Sequence, residues 1–272
     1  MKTRIISGVA LVVLGLILLL VLPTWVTAVV TGLGLAVAAY ELLYQTGLMR
    51  HPRLVVYAMV SGFGVSMWTW AGRDRAWGIL ILLALFTALF AELMASHIKL
   101  SLEKISLCFV AGWVLPYLFS SIVSILCMPK MGRYYILLPV LMAVVPDSGA
   151  YFAGKFFGKH KLAPVISPKK TIEGAVGGVA AGILGMLLYG LVLWLGFGLK
   201  VNFGYAAVYG LVGSIASIFG DLSFSVIKRQ TGIKDYGNLI PGHGGVLDRF
   251  DSWCVVAPLC EALLLIIPMA VR

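Results

Sequence analysis

The chain has 272 residues, of which 61% are hydrophobic and only 12% are charged. A soluble domain carries about 25% charged residues, so this composition excludes a soluble globular protein and leaves no room for a separate soluble domain. The formal net charge of +10 favours lipid headgroups or phosphorylated substrates as partners. We expect no nucleic-acid partner.

Nine apolar stretches could each form a helix of about 20 residues that crosses a bilayer. They are residues 5–22, 24–45, 54–72, 77–96, 105–127, 134–157, 174–197, 203–228 and 252–271. The first stretch is longer than the apolar part of a secretory signal and lacks a clear cleavage site, so we interpret it as a membrane helix. The expected fold is therefore all-α: a polytopic integral membrane protein with about nine transmembrane helices.

The distribution of positive charge predicts the orientation, because cytoplasmic loops collect Lys and Arg. Of the 21 Lys and Arg residues, fifteen fall on the side of the predicted spans that holds the amino terminus, and six fall on the other. We therefore expect a cytoplasmic amino terminus. The two polar loops, 155–173 and 229–251, then face the cytoplasm together.

Polar residues that could take part in catalysis or ligand binding are concentrated in the second half of the chain. We therefore divide it into amino-terminal transmembrane helices, 1–130, and a catalytic transmembrane region with cytoplasmic loops, 131–272. Gly174, Gly178 and Gly182 recur every four residues at the start of the seventh span, and such a stripe lets another helix approach closely. Close packing within the chain is the favoured interpretation, and a subunit interface in a homodimer is the alternative.

Three glutamates, Glu41, Glu92 and Glu261, lie alone within or near the spans. We expect them to make hydrogen bonds inside the helix bundle, with a proton relay in a transporter as the alternative. The four cysteines form no C-x-x-C pair and lie in or beside apolar stretches, so we expect neither disulfides nor metal ligation by them.

Residues 221–252 read DLSFSVIKRQTGIKDYGNLIPGHGGVLDRFDS and combine four carboxylates, four Lys or Arg residues and one His. If the eighth span continues as a helix, Asp221, Ser225 and Lys228 share one face. Asp248 and Asp251 are three residues apart at the start of the ninth span and are predicted to share a face too. Converging carboxylates beside cations suit Mg²⁺ and a polyphosphate.

The glycines of the segment PGHGG, Pro241 to Gly245, can adopt positive φ and bring backbone N–H groups close to an anion. His243 could donate a hydrogen bond to a phosphate oxygen. The alternative is a tight re-entrant turn among solvated cytoplasmic charges. That alternative leaves unexplained the carboxylates at the membrane borders, where they are costly.

A second polar segment, residues 147–174, reads DSGAYFAGKFFGKHKLAPVISPKKTIEG. We expect Asp147 in the last turn of the sixth span, as Asp221 is in the eighth, with both side chains facing a cavity rather than lipid. Lys169, Lys170 and Thr171 precede the seventh span, whose first amides could help to bind phosphate. Positive-inside anchoring by the lysines is the alternative.

The run SVIKRQTGIKDYGNLIPGHGGVLDRFD, residues 225–251, resembles the signature of the phosphatidate cytidylyltransferase family, also called CDP-diacylglycerol synthase. The stretches DSGAYFAGKFFGKH and SPKKTIEG are similar to further stretches of that family, so the resemblance covers residues 147–251. It implies a reaction of CTP with phosphatidic acid that gives CDP-diacylglycerol and pyrophosphate. It also implies Mg²⁺ as cofactor, with a second metal ion as an option. The reaction would take place at the cytoplasmic face of a bacterial inner membrane.

The resemblance also suggests roles for individual residues. The metal ligands would be Asp221, Asp248 and Asp251, with Asp147 as a weaker candidate. The charges of the triphosphate and lipid phosphate would be neutralised by Lys228, Arg229, Lys234 and Arg249. Further phosphate oxygens would be bound by Ser167, Lys169, Lys170, Thr171, Ser225, His243, Gly244 and Gly245.

Three other functions are alternatives to this one. A CDP-alcohol phosphotransferase also acts on CDP-linked lipids, but its D-G-x-x-A-R run is absent here. A cation-coupled transporter would use the intramembrane glutamates but would leave the two polar loops unexplained. A membrane scaffold would need none of the clustered carboxylates.

Overall fold

The computed structural model describes residues 2–96, 100–240, 242 and 244–271, with side chains from residue 7 onward. The helices are α1 (Lys2–Leu20), α2 (Thr24–Tyr40), α3 (Pro52–Trp70), α4 (Arg75–Ala95), α5 (Leu102–Phe109), α6 (Leu115–Phe119), α7 (Ser121–Leu126), α8 (Gly132–Tyr135), α9 (Leu137–Phe157), α10 (Ile172–Phe197), α11 (Phe203–Gln230), α12 (Leu247–Phe250) and α13 (Trp253–Ile266). Two π-helical segments, Glu41–Gln45 and Val110–Val114, continue α2 and α5. The strands are β1 (Lys161–Ala163), β2 (Ser167–Thr171), β3 (Lys200–Val201) and β4 (Ala270–Val271).

The described part of the chain is a polytopic, mainly α-helical membrane protein. Six helices are long and apolar enough to cross a bilayer: Thr24–Gln45, Arg75–Ala95, Leu102–Leu126, Gly132–Phe157, Ile172–Phe197 and Phe203–Gln230. Of the other three predicted spans, 5–22 and 54–72 coincide with α1 and α3. The span 252–271 is helical only up to Ile266, where α13 ends, and Ala270 and Val271 form β4. Nine crossings and a cytoplasmic amino terminus stay predictions. The sequence did not predict the two small antiparallel sheets, β1–β2 and β3–β4.

Local sequence signals account for several helix ends. The Asp74 side chain caps α4 by accepting hydrogen bonds from the backbone N–H groups of Ala76 and Trp77 at 3.0 and 3.3 Å. Thr171 caps α10 in the same way through the N–H of Gly174, at 3.1 Å. The other end of α10 is closed by Gly198, whose φ of 65° is left-handed.

Contacts between residues divide the chain into two compact units. The first contains Met1–Cys127 and Gln230–Phe250, and the second contains Met128–Arg229 and Asp251–Arg272. The segment Gln230–Phe250 is therefore part of the first unit, although about 100 residues of the second unit separate it from Cys127 in the sequence. The predicted division of roles, with catalysis confined to residues 131–272, stays a prediction.

In the second unit, the glycine stripe of α10 packs against α9, as the sequence predicted. A Cβ atom at Gly178 would lie 2.8 Å from the carbonyl oxygen of Pro146 and 3.0 Å from the Cβ of Ala150. The stripe thus packs helices of the same chain against each other. The homodimer stays a prediction.

Replacing Gly178 by alanine should destabilise the protein by about 1–3 kcal/mol, because the new methyl group would force α9 and α10 apart. Gly196→Ala is the matched control in the same helix, since nothing lies within 4 Å of its Cβ position. Thermal unfolding in detergent measures the difference. Equal melting temperatures for the two variants would contradict the packing described here.

Candidate active site

Asp221 of α11 lies at the centre of a polar cluster in the second unit. Its Oδ1 accepts a hydrogen bond from the Ser225 hydroxyl at 3.2 Å, and its Oδ2 lies 2.5 Å from the Lys170 ammonium nitrogen. The prediction that Asp221 and Ser225 share a helix face is confirmed. The ion pair with Lys170 was not predicted, since it depends on how the chain folds back between α9 and α10.

The hairpin formed by β1 and β2 presents Lys170 to Asp221. Strand β2 begins at Ser167 and ends at Thr171, the cap of α10. The guanidinium Nε of Arg229 donates to the carbonyl oxygen of Ile166 at 3.1 Å and so connects the turn of the hairpin to the end of α11. Lys169, the other lysine of the SPKKT run, is exposed. The hairpin thus brings one of the two predicted phosphate-binding lysines to a carboxylate.

Asp251 lies in the turn between α12 and α13, where its Oδ1 accepts a hydrogen bond from the N–H of Ser252 at 2.7 Å. Its Oδ2 is 4.0 Å from the ammonium nitrogen of Lys228 on α11. The expectation that Asp248 and Asp251 share a face of one helix is wrong, because α12 ends at Phe250 and α13 begins only at Trp253.

Asp147 lies near the middle of α9, and Asp221 lies more than two turns before the end of α11. The expectation that both occupy the last turn of a span is therefore wrong, because both helices continue through the polar residues that follow. The Asp147 carboxylate accepts a hydrogen bond from the hydroxyl of Ser217 on α11, at 3.3 Å. Asp147 thus belongs to the second unit's polar cluster.

Burial and the neighbouring Asp221 carboxylate raise the pKa of Asp251 from 3.8 to about 7. An acid whose pKa rises on folding weakens the fold when it ionises: the cost is absent below about pH 3.8, grows as the pH rises and is complete above about pH 7.

Asp251→Asn removes this cost. The melting temperature of the variant minus that of the wild type should therefore increase between pH 5 and pH 8. A difference for Asp251→Asn that does not change with pH would contradict this assignment.

In the first unit, Asp248 organises the glycine-rich loop that precedes it. Its side chain is buried, and Oδ2 accepts hydrogen bonds from the backbone N–H groups of Tyr236 and Gly245 at 2.7 and 3.0 Å. Gly242 and Gly244 have φ values of 76° and 86°, which confirms the prediction of positive φ in this run. The Gly245 N–H already donates to Asp248. Phosphate binding by Gly244 and Gly245 stays a prediction.

The remaining predicted residues of this loop are Lys234, Arg249 and His243. Lys234 and Arg249 are exposed, and their binding of phosphate charge stays a prediction. His243 lies outside the described residues. Sequence reasoning gave no role at this loop to Glu41, whose carboxylate accepts hydrogen bonds from the N–H groups of Val246 and Leu247. A carboxylate inside an apolar span was the signal that could have indicated it.

The carboxylates of the second unit suit magnesium that binds together with a phosphorylated substrate. Asp221 interacts electrostatically with both Asp147 and Asp251. Within the residues that the structure describes, no three His, Cys, Asp or Glu side chains form a ready ligand set. Mg²⁺ commonly takes one or two protein carboxylates and completes its shell with water and substrate phosphates. Asp221 and Asp251 fit that pattern.

Comparison with known proteins covers almost the whole chain. The Cytidylyltransferase family matches residues 2–267. A phosphatidate cytidylyltransferase of Bacillus subtilis (strain 168) is 32% identical over 269 residues, 97% of each chain. Two others are more similar over 134 residues, 49% of this chain: one from Staphylococcus epidermidis at 46% identity and one from Staphylococcus aureus (strain COL) at 43%. In those two alignments the chain spans about half the length of the relative. The family match and the full-length similarity together show that this chain belongs to the Cytidylyltransferase family.

Proposed function

We propose that the protein is a phosphatidate cytidylyltransferase of phospholipid biosynthesis, which converts CTP and phosphatidic acid into CDP-diacylglycerol and pyrophosphate. The observation that carries the proposal is the contact between Asp221 and Lys170, because it places a carboxylate suited to a metal against a cation suited to a phosphate. The relatives are phosphatidate cytidylyltransferases, and their name supports the same substrates.

In this reaction an oxygen of the lipid phosphate attacks the α-phosphorus of CTP, and the bond between the α-phosphorus and the bridging oxygen to the β-phosphate breaks. Pyrophosphate leaves with the electron pair of that bond. The attacking phosphate is already an anion, so the protein needs no strong general base. The work of the protein is to position two anions and to neutralise their charge.

Lys170 and Lys228 are suited to this neutralisation, since each ammonium group has three donors and lies beside a carboxylate of the second unit. Arg229, Lys234 and Arg249 are proposed to bind the remaining phosphate oxygens. Asp221 and Asp251 would hold Mg²⁺, with Asp248 and Asp147 as further candidates. The metal supplies Lewis-acid polarisation of the phosphoryl oxygens when it is bound.

The membrane arrangement is proposed on charge alone. Nine crossings with a cytoplasmic amino terminus place most of the basic residues on the cytoplasmic side of a bacterial inner membrane, where CTP is available. The acyl chains of phosphatidic acid can then stay in the bilayer while the headgroup reacts. Reporter fusions after Lys161 and after Lys130 should report opposite sides, and reporters on the same side would contradict this topology.

The proposed activity is tested by pyrophosphate release from purified protein in detergent. Release should require CTP, phosphatidic acid and Mg²⁺ together, and mass spectrometry should detect CDP-diacylglycerol. A cation-coupled transporter would instead move its substrate into vesicles without releasing pyrophosphate. Folded protein that releases no pyrophosphate with several phosphatidic acids would overturn the proposal.

A further inference from the structure

Glu41 is a buried carboxylate that binds a loop distant in the sequence. It begins the π-helical segment Glu41–Gln45 and is only 1% exposed. Its Oε1 accepts a hydrogen bond from the N–H of Val246 at 2.9 Å, and its Oε2 accepts one from the N–H of Leu247 at 2.8 Å. Each carboxylate oxygen therefore has its own backbone donor, immediately before Asp248.

Two glycines of the same loop make room for this carboxylate. A Cβ atom at Gly237 would lie 2.6 Å from the Glu41 Oε1. A Cβ at Gly245 would collide with both carboxylate oxygens. The loop therefore packs closely around the Glu41 side chain. At Gly237, the backbone can come this close to the carboxylate because glycine has no side chain.

Together, Glu41 and Asp248 bind three consecutive backbone N–H groups of the loop. The Gly245 N–H donates to Asp248, and the next two, of Val246 and Leu247, donate to Glu41. Burying a carboxylate is costly unless hydrogen bonds compensate it, and simple packing of a helix bundle would not require one. Two π-helical segments occur in this unit, and such segments are frequent at functional sites.

We propose that Glu41 is a positioning residue for cytidylyl transfer. By holding Val246 and Leu247, it fixes the backbone that leads into Asp248 and Arg249, two residues assigned to the reaction. The inference rests on the proposed function, but the contact it describes can be tested without any turnover.

Glu41→Gln is the direct test, because the amide keeps the size of the side chain but replaces one acceptor oxygen with an NH₂ group that faces a backbone N–H. Loss of one bond of this supporting kind typically lowers activity by about 10- to 100-fold. We expect kcat to fall by that factor with a smaller change in KM. Hydrogen exchange of the peptide containing Val246 and Leu247 should become faster in the same variant.

Glu92→Gln is the matched control, since Glu92 is a half-buried carboxylate of the same unit but pairs with Arg53 at 3.4 Å rather than with the loop. It should leave the exchange of residues 246–247 unchanged. Equal losses of kcat in the two variants, or unchanged exchange in Glu41→Gln, would overturn the proposal. If wild-type protein shows no cytidylyl transfer, the proposed function fails, while the exchange measurement still decides whether Glu41 holds the loop.

Gly237→Ala gives a second test that does not require the Glu41→Gln variant to fold. Its methyl group would displace the Glu41 carboxylate, so we expect a loss of kcat similar to that of Glu41→Gln. In a Glu41→Ala background, the methyl group has no carboxylate to displace. The Gln45 side-chain oxygen, 2.9 Å from the Cβ position, can move aside because it ends a flexible chain, so we expect little further effect. Losses that multiply in the double variant would contradict the proposed contact.

Discussion

Asp221→Asn should lower cytidylyl transfer by about 10²- to 10⁴-fold. A metal ion contributes several kcal/mol of charge stabilisation in the transition state, and each 1.36 kcal/mol corresponds to a factor of ten in rate. Asparagine keeps the volume of the side chain and can still accept a hydrogen bond from Ser225. The loss therefore measures the charge of Asp221 rather than its packing.

Asp74→Asn is the matched control for this substitution. Asp74 caps α4 through backbone N–H groups, and asparagine is an equally good cap, so activity and stability should stay close to wild type. A comparable loss of activity in the control would indicate a general effect of removing an acidic group. Wild-type turnover in Asp221→Asn would contradict the metal assignment.

The Lys170 contact offers a second explanation that can be separated from metal binding. If Asp221 only positions Lys170, then Lys170→Met should reproduce the loss, and the double variant should be no worse than either single variant. If Asp221 binds the metal, Asp221→Asn should raise the Mg²⁺ concentration needed for half-maximal activity. Lys170→Met should instead raise KM for CTP with little change in that Mg²⁺ requirement.

Features that depend on neighbouring residues in the sequence were predicted well. The contact between Asp221 and Ser225 follows from their spacing of four on a helix, and the packing of Gly178 follows from a repeat of the same period. The cap of α10 at Thr171 was also recognisable from its local sequence. Each of these needed only the periodicity of a helix and the chemistry of its first turn.

Features that depend on distant parts of the chain were missed. The hydrogen bonds of Glu41 join residues more than 200 positions apart, so its place in an apolar span could mark the carboxylate but not identify its partners. The contact between Lys170 and Asp221 depends on a hairpin within a segment that sequence reasoning treated as a loop. The helix break after Phe250 was not predicted, although the polar residues Asp251 and Ser252 mark it in the sequence.

Asp248→Asn should also lower turnover by about 10²- to 10⁴-fold, if Asp248 is a metal ligand as the sequence suggests. The structure adds a second role, since Oδ2 accepts hydrogen bonds from Tyr236 and Gly245. The carbonyl oxygen of asparagine can take over both of these bonds, so the loop should keep its conformation. Asp248→Ala removes the acceptor as well, and should both abolish turnover and release the loop.

These two variants separate the roles when hydrogen exchange across residues 236–247 is measured beside turnover. Unchanged exchange with lost activity in Asp248→Asn, and faster exchange in Asp248→Ala, is the expected pattern for a ligand that also holds the loop. Substantial activity in Asp248→Asn but not in Asp248→Ala would assign Asp248 to loop structure alone. Metal binding would then rest on the carboxylates of the second unit, Asp221 and Asp251.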